Sequence, residues 1–170
     1  VTRSFGTHVV QSAIEDVMEL SHDIGEDELS AKREQILALF DTPEPRSDPH
    51  TERLTEEDLE RAARAAVALD RFRHRYALDG LAYYYRGTSG SALRAFASSW
   101  IVGNSLLGAQ GFPMCGEADL KTCVAMLIMD RLDIGGSFAE FHPVDFTRDT
   151  VLVGHDGPHH IRIADGRPVL

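Results

Sequence analysis

Two β-rich runs, each followed by a helical pattern, constrain this chain most. Residues 78–85 (Leu-Asp-Gly-Leu-Ala-Tyr-Tyr-Tyr) and 112–115 (Phe-Pro-Met-Cys) read as short strands. A helix is expected over residues 91–109, and another over 117–132, where Leu120, Val124, Leu127 and Ile128 fall at helical spacing. Strands that alternate with helices imply βαβ units around a parallel sheet.

The upstream segment fits the same class. Residues 7–12 (Thr-His-Val-Val-Gln-Ser) read as a further strand, and Ser12 with Glu15 forms a capping-box pattern that opens a short helix to about residue 21. Leu29, Ile36, Leu37 and Phe40 give residues 26–40 one apolar face, and Pro43, Pro45 and Pro49 mark a loop over 42–48. Thr55 and Asp58 form a second capping box, ahead of a helix rich in Ala and Arg that runs to about Tyr76. Its charges are expected on a solvated face rather than in a basic binding patch. After Gly135 and Gly136 the pattern changes: residues 137–146, 150–154 and 160–164 read as strands, with turns at Thr147-Arg148-Asp149 and Asp165-Gly166. The expected organisation is an α/β, Rossmann-like parallel sheet with flanking helices over residues 1–133. A short β-rich segment over 134–170 begins a second domain and is too small to stand alone comfortably.

Composition excludes several function classes. Hydrophobic residues make up 43% of 170, enough for a core, and the net charge of −10 disfavours a nucleic-acid or anionic-membrane surface. Cys115 and Cys123 are the only cysteines and form no CxxC, so reduced thiols are expected and a zinc knuckle is not. No apolar run approaches the roughly 18 residues of a membrane span, and a cytoplasmic location is expected. The chain begins at Val1 and stops at Leu170 just after a strand-like run, as an excised domain or a fragment would.

Three segments carry chemistry: Gly116-Glu117-Ala118-Asp119-Leu120-Lys121-Thr122, Ser137-Phe138-Ala139-Glu140 and Gly154-His155-Asp156-Gly157-Pro158. Glu117 follows a predicted strand at the start of a predicted helix, where open α/β sheets bind ligands and where the helix dipole favours an anion; from position alone a plain first-turn acid is the simpler explanation, and the surrounding segment shifts the balance. Glu117, Glu140 and His155 together make a mixed oxygen and nitrogen donor set, suited to a divalent ion such as Mn²⁺.

These segments closely resemble the L-arabinose isomerase family, within the wider arabinose/fucose isomerase group. The resemblance is specific over residues 117–158 and looser over 96–111 and from Phe5 onward. It implies a central domain and the start of a C-terminal domain. Glu117, Glu140 and His155 would bind the metal, most simply Mn²⁺, and Glu117 and Glu140 would form the acid/base pair. The implied activity is aldose–ketose isomerisation of a pentose or 6-deoxyhexose, such as L-arabinose or fucose. A proton would move between C1 and C2 through a cis-enediol while the metal polarises the sugar oxygens. It further implies a homo-oligomer with sites at subunit contacts. The family's second histidine ligand falls beyond Leu170; His159 and His160 are not its match, and this chain alone is expected to be inactive. Two other readings are a non-catalytic sugar- or partner-binding module derived from the family, and a different Glu/Glu/His metal enzyme such as a lyase or epimerase.

Other residues carry weaker signals. Strand alternation puts His142 on Glu140's face, as a supporting partner or a plain histidine. Asp156 and Gly157 could orient His155 or simply form a turn. Lys121 is expected at the surface, Asp119 as a helix-end acid, the run Tyr83-Tyr84-Tyr85-Arg86 on a buried strand and Trp100 in the core. GxGxxG and Walker spacings are absent, so no nucleotide motif is present.

Overall fold

The computed structural model describes residues 1–43, 53–84, 92–155 and 157–170. The expected loop over 42–48 and the positions Tyr85, Arg86 and Asp156 therefore lie largely or wholly outside the described residues. Those described form a mixed α/β structure. Helices α1 (Thr2–Phe5), α2 (Ile14–Glu19), α3 (Glu26–Leu39) and α4 (Glu56–Arg75) precede strand β1 (Leu81–Ala82). Helices α5 (Ala92–Ser98) and α6 (Trp100–Gly108) lead to β2 (Met114–Cys115) and α7 (Leu120–Arg131). Strands β3 (Glu140–Asp145) and β4 (Thr150–Gly154) and a 3₁₀ turn, Ile161–Ile163, complete the order.

α4 organises the interior because both flanks of its apolar surface are used. Leu59, Ala63, Ala66 and Val67 pack with Leu29, Ile36 and Phe40 of the α3 region and with Val102 and Leu106 of α6. Ala65, Ala68, Leu69 and Phe72 pack with Val17, Trp100, Phe112 and Met114. The expected capping box starts the helix: the Asp58 amide donates to Thr55 Oγ1 at 3.1 Å and the Thr55 amide to Asp58 Oδ2 at 3.2 Å. The charged face is only partly solvated, since Arg64 and Arg71 reach across to the backbone carbonyls of Ser21, Leu20 and Asp23 at 3.2–3.3 Å. Leu37, expected on the buried stripe of α3, is exposed.

β1 and β2 pair in parallel, Leu81 with Met114 and Ala82 with Cys115, with α5 and α6 as the crossover. This is the expected βαβ unit, with strands shorter than the sequence runs. Residues 7–12 form no strand. A strand needs a neighbouring ladder, and β1 is paired only with β2 among the described residues. The segment instead lines a groove of about 990 Å³ together with Phe72, Leu81, Trp100 and Leu127. The helix expected over 91–109 breaks at Ser99, whose hydroxyl donates to the Phe96 carbonyl at 2.6 Å and competes with the helical ladder.

β3 and β4 form an antiparallel hairpin around the expected turn, with a register shift between Phe141 and Val144. Phe141 (83% exposed), Phe146 (87%) and Leu152 (64%) leave it uncovered on both faces. The strand expected over 160–164 is the 3₁₀ turn instead. His160 is its cap: Nδ1 accepts the Arg162 amide at 3.2 Å, a local bond in place of a ladder. The last residues return to α3, where Val169 bridges Asp41 and Arg167 donates to the carbonyls of Leu37 and Phe40 at 2.9 and 2.7 Å. Among the described residues no helix is long and apolar enough to cross a membrane.

Candidate functional site

The first carboxylate sits just beyond the parallel pair. After β2 the chain passes through Glu117 (φ 58°) and Ala118 (φ 55°), two consecutive left-handed residues without glycine's freedom. The turn is held from outside: the Ala118 amide donates to the Tyr83 carbonyl at 2.8 Å and the Asp119 amide to that of Gly116 at 3.1 Å. Glu117 is exposed on it. α7 begins at Leu120 rather than at Glu117 because Asp119 is the cap. Its Oδ1 accepts the amides of Lys121 and Thr122 at 3.0 Å each, and its Oδ2 the Thr122 hydroxyl at 2.6 Å. The Thr122 hydroxyl bond, foremost, holds the Asp119 carboxyl below the usual carboxylate range. Asp119 is the helix-end acid its position suggested, and Lys121 is exposed as expected.

Beneath the turn lie Cys115 and Cys123, both buried free thiols, with Met126 and Phe138. Their mutual hydrogen bond, and then burial, raise Cys115 far above the ordinary thiol range; the same bond lowers Cys123.

Glu140 and His155 come from the base of the hairpin. Glu140 is the first residue of β3, exposed and in register with Gly154, the residue before His155. Ring against ring, Phe138 and His155 stand edge-to-face with centroids 4.8 Å apart. His155 Nδ1–H donates to the Pro158 carbonyl at 3.3 Å, which leaves Nε2 as a lone-pair donor. A Cβ at Gly157 would lie 2.5 Å from His155 Cε1 and 3.0 Å from Nε2, so only glycine fits against that edge of the ring. His142 Nε2–H donates to the Gly154 carbonyl at 3.3 Å, which places it beside the Glu140–Gly154 pair although the register shift interrupts the alternation.

The donor chemistry of Glu140 and of His155, with Nδ1 engaged and Nε2 without a hydrogen bond among the described residues, fits a divalent ion. Glu117 is not brought to them: among the described residues no three His, Cys, Asp or Glu side chains are grouped as a metal shell would need. The groove is not this site, because none of Glu117, Glu140 and His155 lines it, although Ala118 and Leu120 form part of its wall. Trp100 and Tyr83 pack as core aromatics, 5.1 Å between centroids.

Sequence reasoning quotes Ser137 only as part of a segment and rejects His159 as a ligand, and gives neither a role. Ser137 Oγ lies 3.1 Å from His159 Nδ1, and His159 Nε2 lies 2.8 Å from the His155 carbonyl. Their pairing depends on two loops meeting, for which spacing gives no signal. Compared with known protein families the chain matches none, and no curated protein is significantly similar to it.

Proposed function

We propose that this chain is part of a metal-dependent aldose–ketose isomerase of the arabinose/fucose isomerase type, acting on a pentose or 6-deoxyhexose. On this reading residues 1–133 are a Rossmann-like domain and 134–170 the start of a β-rich one. The observation that carries the reading is the register at the hairpin base: Glu140 pairs with Gly154, the residue before His155, whose Nδ1 is taken by the Pro158 carbonyl and whose Nε2 makes no hydrogen bond among the described residues. The three motif segments add the resemblance.

Glu140 and His155 would hold the ion, most simply Mn²⁺, with Glu117 as the further ligand. A bound divalent ion would polarise the sugar's carbonyl and hydroxyl oxygens. The proton work falls to the carboxylates: one of Glu117 and Glu140 takes the proton from C2 and returns it to C1, with a cis-enediol between, while the other, as the acid of the pair, gives a proton to O1 and takes one from O2. The exposed Phe141, Phe146 and Leu152 on the hairpin support self-association. The separate placement of Glu117 favours a second reading, a non-catalytic sugar-binding module that retains the Glu140–His155 pair.

Calorimetric titration with Mn²⁺ tests both. Under the isomerase reading Glu117→Gln, Glu140→Gln and His155→Ala each weaken binding at least tenfold, about 1.4 kcal/mol. An effect at Glu140 and His155 without one at Glu117 supports the binding module. Binding untouched by all three substitutions rejects the site.

A further inference from the structure

We infer that Ser137 and His159 form a clasp that holds His155 in a single tautomer with Nε2 presented, making both of them positioning residues. The purpose of the clasp rests on the proposed function; its existence does not.

The proton positions follow from which atoms can only donate or only accept. The His155 carbonyl is an acceptor, so at 2.8 Å His159 Nε2 must carry a proton and donate it. In a neutral ring Nδ1 of His159 is then the acceptor, and its partner at 3.1 Å is Ser137 Oγ. That oxygen already accepts the His160 amide at 3.2 Å, so the hydroxyl proton is free to point at His159. The result is a directed chain: His160 amide to Ser137, Ser137 hydroxyl to His159, His159 to the backbone of His155. It ties the loop before β3 to the loop after β4.

The clasp fixes the loop that contains both His155 and Pro158, whose carbonyl takes the His155 Nδ1 proton. With Nδ1–H committed, only Nε2 has a lone pair to offer. Phe138 stands against the ring edge-to-face, and the Gly157 backbone packs so closely on the ring that any side chain there would clash with it. A histidine ligand oriented through its other nitrogen and backbone is the usual arrangement behind a metal.

The test is imidazole ¹⁵N magnetic resonance of the metal-free 170-residue chain at about pH 8, where an ordinary imidazole is neutral. The expected result is protonated Nδ1 in His155 and protonated Nε2 in His159. His159→Phe keeps a ring but removes both bonds, and should turn His155 into a tautomer mixture. His159→Gln, which can accept from Ser137 and donate to the His155 carbonyl, should restore the single form. Ser137→Ala should act like His159→Phe and serves if the latter fails to fold. A single Nδ1–H tautomer of His155 that survives in folded His159→Phe or Ser137→Ala overturns the clasp, as does failure of the Gln variant to restore it. A parallel Mn²⁺ titration separates the two proposals. His159→Phe should weaken binding about ten- to a hundredfold and the Gln variant far less. No binding by the unaltered chain, with the tautomers as expected, leaves the clasp standing and leaves the metal reading without support from this chain. Binding with tautomers indifferent to His159 and Ser137 removes the clasp and leaves the metal reading.

Discussion

Phe138 meets His155 edge-to-face at 4.8 Å while lying 8% exposed in the same cluster as Cys115 and Cys123. One side chain thus joins the core beneath the Glu117 turn to the loop that carries His155. Phe138→Ala is expected to destabilise the fold by about 3 kcal/mol or more, the range for a buried Phe truncated to Ala. Phe138→Leu, which keeps much of the volume, should lose clearly less. Urea unfolding checks both, and a loss below about 1 kcal/mol for the Ala variant would mean that Phe138 does not anchor the loop.

Gly103 lets α6 sit directly on α4. A Cβ there would lie 3.0 Å from Ala66 Cα and 2.9 Å from Leu69 Cδ1. The Leu69 side chain can turn away; the Ala66 backbone cannot. Gly103→Ala gains about 1 kcal/mol of helix propensity but forces two packed helices apart, at about 1–3 kcal/mol. A net loss of stability is expected in thermal unfolding. A stabilised Gly103→Ala would show that the α4–α6 contact is looser than the backbone places it.

Trp100 separates volume from hydrogen bonding. Its ring is 2% exposed, tilted against Tyr83 at 5.1 Å and edge-on to Phe96 at 6.0 Å, and its Nε1 makes no hydrogen bond among the described residues. Trp100→Ala should cost about 3–5 kcal/mol through the cavity it leaves. Trp100→Phe removes a donor that has no acceptor, which offsets part of the lost packing, so it should cost less than half as much. Equal losses in chemical denaturation would mean that the indole N–H has an acceptor, a water included.

What was legible in the sequence follows from how local the cause is. The Thr55–Asp58 capping box and the hairpin turn at 147–149 are settled by neighbours a few residues away, and both are where the sequence places them. The α7 start was misplaced by three residues because Glu117 and Ala118 adopt left-handed backbone held by the distant Tyr83 carbonyl. The strand expected over 7–12 failed for a related reason: its β-rich composition is real, but a strand exists only beside a ladder. At the site, the hairpin register sets the backbone positions of Glu140 and of Gly154, the residue before His155, whereas Glu117 sits on a separate turn held by the Tyr83 carbonyl. The Ser137–His159 bond had no sequence signal at all, since it forms where two loops close on each other.

Asp119 gives a pH-dependent prediction with a definite sign. Its carboxylate caps α7, and the Thr122 hydroxyl bond, foremost, lowers its folded-state affinity for a proton below the ordinary value of 3.8. The unfolded chain therefore takes up this proton first as pH falls. The charged cap's contribution is fully present above about pH 3.8 and is lost as pH drops through the lower folded value. Asp119→Ala removes the cap at every pH and should cost about 1 kcal/mol near neutrality. Asp119→Asn keeps an acceptor for the amides but has no charge to titrate, so its deficit relative to Asp119 should be small, because that carboxylate is solvent-screened. The deficit should shrink further below about pH 3.8. Urea midpoints of the three proteins at about pH 7 and about pH 3 decide the matter. A gap between Asp and Asn that is the same at both pH values would show that the carboxylate's charge adds nothing to its role as a cap.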